Sequence, residues 1–504
     1  MTAELSQTNP SYVDVLIVGA GVSGIGAAYH LQDKVPGRTY AILEGREAIG
    51  GTWDLFRYPG IRSDSDLHTF GYAFKPWTSD KAIADGPEIR EYIEETATEN
   101  GIDRHIRFGH RVRRARWSSE QALWTVEGEL AASGEPFEIA ARWLFCACGY
   151  YRYDEGFTPH FEGIESFQGQ VIHPQHWPED LDYADKRVVV IGSGATAVTL
   201  IPAMAKTAAH VTMLQRSPTY ILSIPSEDPI ANGLRRILPD RTAYAITRRK
   251  NIFLQSRIYS LCQRYPKAMR RIIRKLNAVQ LPESCPVDVH FNPKYDPWDQ
   301  RLCIVPDSDL YRSLRAGTSS VVTDEIETFT EHGVRLRSGA ELEADIIITA
   351  TGLNLLAFGG VELAVDGEPV NMPDKIAYKG AMLSGIPNFS YALGYTNASW
   401  TLKVDLVCEY VCRLLAHMDA HGRDACVAEP ADPNMGTRPL LDFKAGYVQR
   451  ALDQLPKQGA QEPWTVAMKY DFDIERLRKG AVDDGTLRFF DRAPAPAPEL
   501  VGAA

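Results

Sequence analysis

The sequence predicts an α/β fold with two Rossmann-like domains and an inserted helical subdomain. A strand–glycine–helix pattern occurs near the N-terminus and again from about residue 187. Between about residues 223 and 298 the strand patterns fade, and basic residues interleave with apolar ones at roughly helical spacing. Because each strand–glycine–helix unit opens one dinucleotide-binding fold, two such units predict two α/β domains.

The first unit is an apolar strand over residues 13–18, a glycine turn and a helix over residues 25–31. The turn reads Gly19-x-Gly21-x-x-Gly24. Its glycines allow the tight turn, the close approach of backbone to a pyrophosphate, and the packing of helix on strand. Glu44 ends the next predicted strand, 40–43, where a carboxylate accepts hydrogen bonds from ribose hydroxyls.

The second unit has a strand over residues 187–191, the turn Gly192-Ser193-Gly194 and a helix from Thr196. Its next strand, 211–214, ends in Gln215-Arg216 instead of an acid. An arginine there can bind a 2′-phosphate, whereas an acid would repel it, so this site should prefer NADPH. The alternative is a surface arginine without a ligand.

One site that selects ribose hydroxyls and one that accepts a phosphate together predict FAD and NADPH as cofactors. The residues predicted to bind FAD are Gly19, Gly21, Ser23, Gly24, Glu44, Thr52, Trp53 and Asp64. The residues predicted to bind NADPH are Arg62, Gly192, Ser193, Gly194, Ala195, Thr196, Gln215 and Arg216.

Two further apolar strands, 143–147 and 346–350, run into Gly149 and Gly352 and predict crossings between the domains. The predicted FAD domain spans residues 1–150 and 353–490, and the NADPH domain spans 151–222 and 299–352. A helical insert is predicted over 223–298, and a disordered, Pro-Ala-rich tail over 491–504.

The predicted insert is strongly basic, with 13 Lys or Arg against Asp240 alone between residues 235 and 275. One interpretation is a solvated helix face. The other is a surface that makes weak contact with anionic lipid near a substrate entrance. We expect the insert and the region around Trp400 to line the substrate pocket.

Composition excludes several other classes of protein. A net charge of -11 and a pI near 5.6 argue against nucleic-acid binding. No apolar run approaches the roughly 20 residues of a membrane-spanning helix, and the first residues lack a secretory pattern, so we expect a cytoplasmic protein. The eight cysteines form no C-x-x-C pair and no cluster at metal-binding spacing, which disfavours a disulfide reductase and a metal site.

Two motifs resemble those of type I Baeyer–Villiger monooxygenases, within the flavin-containing monooxygenase superfamily. The first is Phe167-x-Gly169-x-x-x-His173-x-x-x-Trp177-Pro178. The second runs from Gly50-Gly51-Thr52-Trp53 through Tyr58-Pro59-Gly60 to Asp64. The segment 397–403, which contains Trp400, is similar to the subgroup that contains the ethionamide-activating monooxygenase.

The resemblance implies that a catalytic arginine and an aspartate act beside the flavin. Arg301 and Asp64 match those positions. The guanidinium would stabilise a C4a-peroxyflavin anion formed from O2, which attacks an apolar ketone to give an ester or lactone. Without the motif, Asp64 would be interpreted as a turn residue and Arg301 as half of a surface ion pair. Several family members have Lys before the arginine where this chain has Gln300, so NADPH preference rests more heavily on Arg216.

The resemblance also implies that His173 couples movement of the NADPH domain to catalysis. From the residues alone, Phe167 and Trp177 are apolar anchors, Gly169 allows a tight backbone path, and Pro178 stiffens the exit. On that basis alone, a structural role explains His173 better than a functional one.

Two other functions remain open from the sequence. A flavin N- or S-oxygenase, which would oxidise a thioether, is disfavoured by the Trp177-Pro178 pair. A non-catalytic redox-sensing flavoprotein is disfavoured because the glycines, Glu44, Arg216 and the Asp64–Arg301 pair are all intact.

Overall fold

The computed structural model describes residues 11–300, 302–443 and 445–492. Arg301 and most of the predicted tail, residues 493–504, therefore lie outside the described residues. The predicted fold class is confirmed, because two large sheets flanked by helices are joined to a helical insert.

The strands are β1 (Tyr12–Val18), β2 (Tyr40–Leu43), β3 (Ile106–Arg107), β4 (His110–Ser118), β5 (Leu123–Leu130), β6 (Pro136–Cys146), β7 (Tyr151–Gly156), β8 (Gln170–Ile172), β9 (Arg187–Ile191), β10 (His210–Gln215), β11 (Ile221–Ile224), β12 (Cys303–Pro306), β13 (Ser319–Thr323), β14 (Ile326–Thr330), β15 (Gly333–Leu336), β16 (Glu341–Glu343), β17 (Ile346–Thr349), β18 (Leu353–Leu355), β19 (Glu362–Val365), β20 (Glu368–Pro369), β21 (Ile376–Tyr378), β22 (Met382–Leu383), β23 (Phe389–Tyr391), β24 (Ala425–Ala428), β25 (Thr437–Pro439), β26 (Lys457–Gly459) and β27 (Leu487–Phe490).

The α-helices are α1 (Val22–Lys34), α2 (Thr52–Leu55), α3 (Leu67–Phe70), α4 (Gly86–Glu99), α5 (Ala195–Met204), α6 (Pro229–Arg235), α7 (Asp240–Arg264), α8 (Pro266–Gln280), α9 (Val287–His290), α10 (Asp309–Ala316), α11 (Trp400–Ala420), α12 (Gly446–Gln449) and α13 (Tyr470–Asp473).

The first large sheet has the order β20-β19-β4-β5-β6-β1-β2-β3, and β23 also pairs with β6. Its centre is parallel, since Val15 of β1 lies opposite Tyr40 on one side and Trp143 on the other. All four residues of β2 are buried, as expected of a strand covered on both faces. The predicted first unit is confirmed, because β1 is followed by the glycine turn and by α1.

The second large sheet has the order β13-β10-β9-β17-β8, and all its strand pairs are parallel. Strand β9 covers the predicted residues 187–191, and α5 begins one residue before the predicted Thr196. The carboxyl ends of β9 and β10 therefore bring the second glycine turn next to Gln215, the edge at which such sheets bind ligands.

The two sheets are joined by a two-stranded ribbon, here called the linker ribbon, formed by β7 and β18. The chain leaves the first sheet after β6 and enters the second at β8, and it returns between β17 and β19. Leu353 pairs with Gly156, and Leu355 pairs with Tyr151. The two connections between the sheets thus follow Cys146 and Thr349.

The insert is helical, as predicted, and consists of α6 to α9. Strands β11 and β12 pair in parallel at its two ends, so the insert leaves and re-enters the domain at one place. Among the described residues, no helix combines the length and apolar content needed to cross a bilayer. All eight cysteines are free thiols, and seven of them are buried.

Candidate functional site

A single cavity of about 1270 Å³ extends from the first glycine turn to the second. The predicted site residues in its wall are Gly19, Gly21, Ser23, Glu44, Thr52, Trp53, Arg62, Asp64, Gly192, Ser193, Gly194, Ala195, Thr196, Gln215 and Arg216. Gly24 and the described residues of the Phe167–Pro178 motif do not line it. The cavity thus brings together two nucleotide-binding turns that lie more than 150 residues apart in the sequence.

The three glycines of the first turn differ in how much space surrounds them. Gly19 has φ +106°, and a Cβ there would lie 2.8 Å from Ala147 O. A Cβ at Gly24 would lie 1.9 Å from Gly19 O, so this glycine lets α1 pack against the turn. Gly21 instead has Gly51 as its neighbour, and a Cβ at Gly21 would lie 3.6 Å from Gly51 Cα, an ordinary contact distance. The turn fits a pyrophosphate held by the amides at the start of α1.

Glu44 stands at the end of β2, next to the glycine turn. Its Oε2 accepts a hydrogen bond from Ala20 N at 2.8 Å, and its Oε1 accepts one from Arg46 N at 2.9 Å. Burial raises the pKa of Glu44, although both backbone donors oppose that shift. The carboxylate is therefore held rigidly in the cavity wall, where a ribose hydroxyl can reach it.

The turn from Gly51 into α2 forms the neighbouring part of the wall. Thr52 Oγ1 lies 3.2 Å from the hydroxyl of Tyr153 on the linker ribbon. Trp53 packs edge-on against Phe70, with 5.6 Å between ring centroids. These contacts join the predicted cofactor-binding residues Thr52 and Trp53 to both the linker and the core.

Asp54, which follows Trp53 in α2, is the centre of a charged cluster. Its side chain is only 3% exposed and lies 2.5 Å from Arg46, 2.7 Å from Arg57 and 3.3 Å from Arg90. Burial alone would raise the pKa of Asp54, but the three arginines outweigh it, and the pKa is lowered. The cluster fixes α2, and with it the backbone next to the first turn.

Arg62 and Asp64 lie in the cavity wall after the Tyr58-Pro59-Gly60 turn. Arg62 Nη1 donates to Asp309 Oδ2 of α10 at 2.5 Å, so this segment is tied to the second sheet's domain. The Nη2 of Arg62 is buried and has no hydrogen-bond partner among the described residues. Since Arg62 pairs with Asp309 through Nη1, the unpartnered Nη2 remains able to donate to a ligand.

The second glycine turn is more open than the first. Gly192 has φ +136°, and a Cβ there would lie 2.3 Å from Ala350 O. A Cβ at Gly194 would meet no described atom within 4 Å, although Gly194 borders the cavity. Ser193 Oγ lies 2.8 Å from Thr219 Oγ1. The open side at Gly194 is where a pyrophosphate can approach the amides that begin α5.

Gln215 and Arg216 have different surroundings although they are adjacent in sequence. Gln215 is buried, and its Nε2 donates to His290 O at 2.9 Å and to Thr323 Oγ1 at 2.8 Å. Arg216 is exposed at the cavity wall. Gln215 thus anchors the strand end to the insert, and Arg216 supplies the charge available to a 2′-phosphate.

The Phe167–Pro178 motif lies outside the cavity wall. Phe167 is buried against Phe329, and a Cβ at Gly169 would lie 2.4 Å from Asp345 O. Trp177 is partly buried against the core of the second sheet. The apolar anchors and the tight glycine path predicted from sequence are thus present, and they pin the chain beside the linker ribbon.

His173 contacts both strands of the linker ribbon at their ends. Its Nε2 lies 3.1 Å from Gly352 O, and its Nδ1 accepts a hydrogen bond from Gln175 N at 3.2 Å. Because a carbonyl only accepts, Nε2 carries the proton and the ring is neutral. Burial lowers the pKa of His173, which favours the same state. Gly156 lies directly beneath the ring, since a Cβ there would be 1.9 Å from His173 Cε1.

Two further cavity residues, Trp400 and Arg450, lie outside the glycine turns and the Gly50–Asp64 motif. Trp400 Nε1 donates to Ser23 Oγ at 2.9 Å and stacks on Tyr150 at 5.2 Å. Arg450 lies over the Phe157 ring at 3.4 Å and donates to Leu353 O at 3.2 Å. Trp400 borders this cavity, whereas no described residue of 223–298 does, and which residues line a substrate pocket stays a prediction.

The chain is similar to known proteins over almost all of its length. The family described as flavin-binding monooxygenase-like matches residues 81–365, and an NAD(P)-binding Rossmann-like domain matches residues 17–80. The FAD-containing monooxygenase EthA of Mycobacterium tuberculosis strain ATCC 25618 / H37Rv is 57% identical over 486 residues, which cover 96% of this chain and 99% of the relative.

Solved structures share the fold at lower identity. An oxidized steroid monooxygenase bound to NADP superposes with a TM-score of 0.75 at 22% identity, covering 95% of this chain and 100% of that chain. An ε-caprolactone-bound cyclohexanone monooxygenase gives a TM-score of 0.73 at 21% identity, covering 95% and 99%. At these identities, the likeness establishes the fold.

Proposed function

The chain belongs to the flavin-binding monooxygenase-like family, and on that premise we propose that it is a Baeyer–Villiger monooxygenase. It is a flavin-dependent monooxygenase that uses FAD and NADP. The proposed reaction inserts one oxygen atom of O2 beside the carbonyl of an apolar ketone and gives an ester or lactone.

The observation that carries the proposal is the single cavity that joins both glycine turns and contains Asp64 in its wall. FAD would be held at the first turn and NADPH at the second, and both would open into this one cavity. The first turn with Glu44 fits FAD, and the second turn with Arg216 fits NADPH.

FAD, when bound and reduced, supplies the chemistry that activates O2. We assign to Arg301 the stabilisation of negative charge on the attacking oxygen and then on the ketone oxygen. Arg301 lies outside the described residues, but its neighbours Gln300 and Cys303 border the same cavity as Asp64. Asp64 would hold the guanidinium in place and balance its charge.

We assign a positioning role to His173. As a neutral ring, it holds Gly352 and packs on Gly156, the points where both strands of the linker ribbon meet the second domain. A change in that contact would alter the relative position of the two turns, which is how His173 could couple nucleotide binding to the reaction.

The experiment that tests the proposal is a product screen with the purified, FAD-loaded protein. NADPH, air, a panel of cyclic and linear ketones and one thioether are supplied, and products are identified by mass spectrometry. Esters or lactones from ketones support the proposal. Sulfoxide without any ester indicates the S-oxygenase alternative and contradicts it. NADPH-driven oxygen uptake that is independent of any organic substrate favours the redox-sensing flavoprotein and also contradicts the proposal.

A further inference from the structure

Helices α7 and α8 turn an apolar stripe toward solvent, here called the outer face of the insert. On α7 the exposed apolar positions recur at helical spacing, and Phe253 is 61% exposed. On α8 they are spaced by four and three residues, and Val279 is 80% exposed. The outer face comprises Ile246, Phe253, Leu254, Ile258, Leu261, Tyr265, Ile272, Leu276 and Val279.

The buried side of α7 combines apolar residues with the polar Thr247, Arg248 and Asn251. Arg248 donates to the carbonyl oxygens of His68, Thr69 and Gly71 at 3.0, 3.0 and 2.7 Å. Asn251 donates to Asp66 at 2.9 Å. Because a buried guanidinium is costly to leave unpaired, α7 cannot rotate to hide its apolar stripe. The fold therefore fixes the exposure of the outer face.

Exposed cations surround this stripe. They are Arg249, Arg257, Arg264, Lys267, Arg271 and Lys275. None of them forms an ion pair with a carboxylate of any described residue. From residue 241 to residue 282 the sequence contains no Asp or Glu, although the whole chain has a net charge of -11. The outer face is thus a local basic and apolar surface on an acidic protein.

We propose that the outer face of the insert docks on an anionic lipid bilayer. An apolar stripe flanked by Lys and Arg suits the boundary between acyl chains and headgroups. There, burial of the apolar side chains and attraction of the cations to anionic headgroups both favour membrane binding. In a symmetric dimer formed through the outer face, two basic surfaces would face each other. Charge repulsion therefore disfavours a second copy of the chain as the partner. The proposal is independent of the reaction, because docking needs no turnover.

The test is co-sedimentation of the FAD-loaded protein with vesicles. We expect binding to phosphatidylcholine vesicles that contain phosphatidylglycerol, little binding to phosphatidylcholine alone, and weaker binding as salt is raised. Arg257→Gln with Lys275→Gln should lower partitioning by about 25-fold, because each cation near an anionic surface contributes about fivefold. Phe253→Ser with Leu254→Ser should also reduce it strongly.

The matched controls are Arg335→Gln and Val171→Ser, which change an exposed cation and an exposed apolar side chain outside the insert. Both should bind vesicles like the parent. The proposal is overturned if the parent does not bind anionic vesicles, or if the insert variants bind as well as the controls. It is also overturned if the outer face serves only self-association, seen as oligomers that Phe253→Ser with Leu254→Ser disrupts without any vesicle binding.

Discussion

Among single residues, Asp64 and Arg301 bear most of the proposed chemistry. For Arg301→Ala we predict retained FAD and retained flavin reduction by NADPH, with ester formation lowered by about 100-fold or more. The reason is that one fixed cation is lost from the place where negative charge develops. The measurement combines flavin absorbance under stopped flow with product analysis. Arg301→Lys is the control that keeps the charge without the planar fork, and it should retain part of the activity. Near-parental ester formation by Arg301→Ala would show that another residue fills this role.

Gly194 allows ligand contact to be separated from folding. Since a Cβ there would meet no described atom within 4 Å, Gly194→Ala should leave thermal stability and FAD content unchanged. The same methyl group would project toward the nucleotide, so we predict that the KM for NADPH rises by about tenfold or more, equivalent to about 1.4 kcal/mol. Gly233→Ala, which also adds a methyl group in open space but lies on α6, is the control. Equal KM values for NADPH in the two variants would show that NADPH does not bind against Gly194.

Asp54 gives a prediction for the dependence of stability on pH. Its pKa is lowered in the folded protein, because Arg46, Arg57 and Arg90 outweigh the opposite effect of burial. Its contribution is therefore complete above the unfolded value near 3.8 and is lost as pH falls through the lower folded value. We predict that Asp54→Asn lowers the free energy of unfolding by about 1–3 kcal/mol at pH 7.

The deficit of Asp54→Asn should shrink as the pH falls below about 3.8, since the unfolded parent then binds a proton that the folded parent binds only at lower pH. Urea unfolding followed by tryptophan fluorescence at several pH values measures it. Glu368→Gln, a change at an exposed carboxylate of β20, should show neither the deficit nor its pH dependence. A deficit that stays constant down to the lowest pH would mean that packing, and not charge, explains the effect.

At this scale the sequence predicted the glycine turns well, because their steric roles are local. Gly19, Gly24 and Gly192 each have a neighbour that a Cβ would strike. It did not separate Gln215 from Arg216, since burial of Gln215 depends on His290 from the insert. The bond from Trp400 to Ser23 joins residues 377 apart in sequence and leaves no local pattern.

Among the secondary-structure elements, the linker ribbon offers the sharpest test. A methyl group at Gly156 would overlap the His173 ring, so Gly156→Ala should displace the ring from Gly352 O. We predict lower stability by about 1–3 kcal/mol, slower flavin reduction by NADPH, and unchanged FAD content. Gly37→Ala, where a Cβ meets nothing within 4 Å, is the control. If the two variants reduce flavin at the same rate, His173 is only a packing residue.

The sequence predicted elements wherever a strand or helix has its own periodic pattern. Strands β2 and β9 have the predicted boundaries, and β7 and β18 were expected only as crossings. The pairing of β7 with β18 depends on how the two sheets are positioned, so no local sequence pattern predicts it. The orientation of α7 was also beyond the sequence, because Arg248 finds its partners in residues 68–71, far away along the chain.

For the whole molecule, the two sheets matter because one cavity joins their ligand-binding edges. The fold class followed from two repeated units, whereas the shared cavity depends on how the linker ribbon sets the sheets together. The cavity also draws on the C-terminal segment through Tyr447 and Arg450, a region without any recognisable motif.

The most direct test of the proposed reaction is the origin of the oxygen in the product. The FAD-loaded protein would be supplied with NADPH, a cyclic ketone and ¹⁸O₂ in ordinary water, and the product would be examined by mass spectrometry. We predict a lactone that carries one ¹⁸O atom in the ring position between the former carbonyl carbon and its neighbour. Recovery of unchanged ketone with consumption of NADPH, or a lactone without the label, would contradict oxygen insertion at this site.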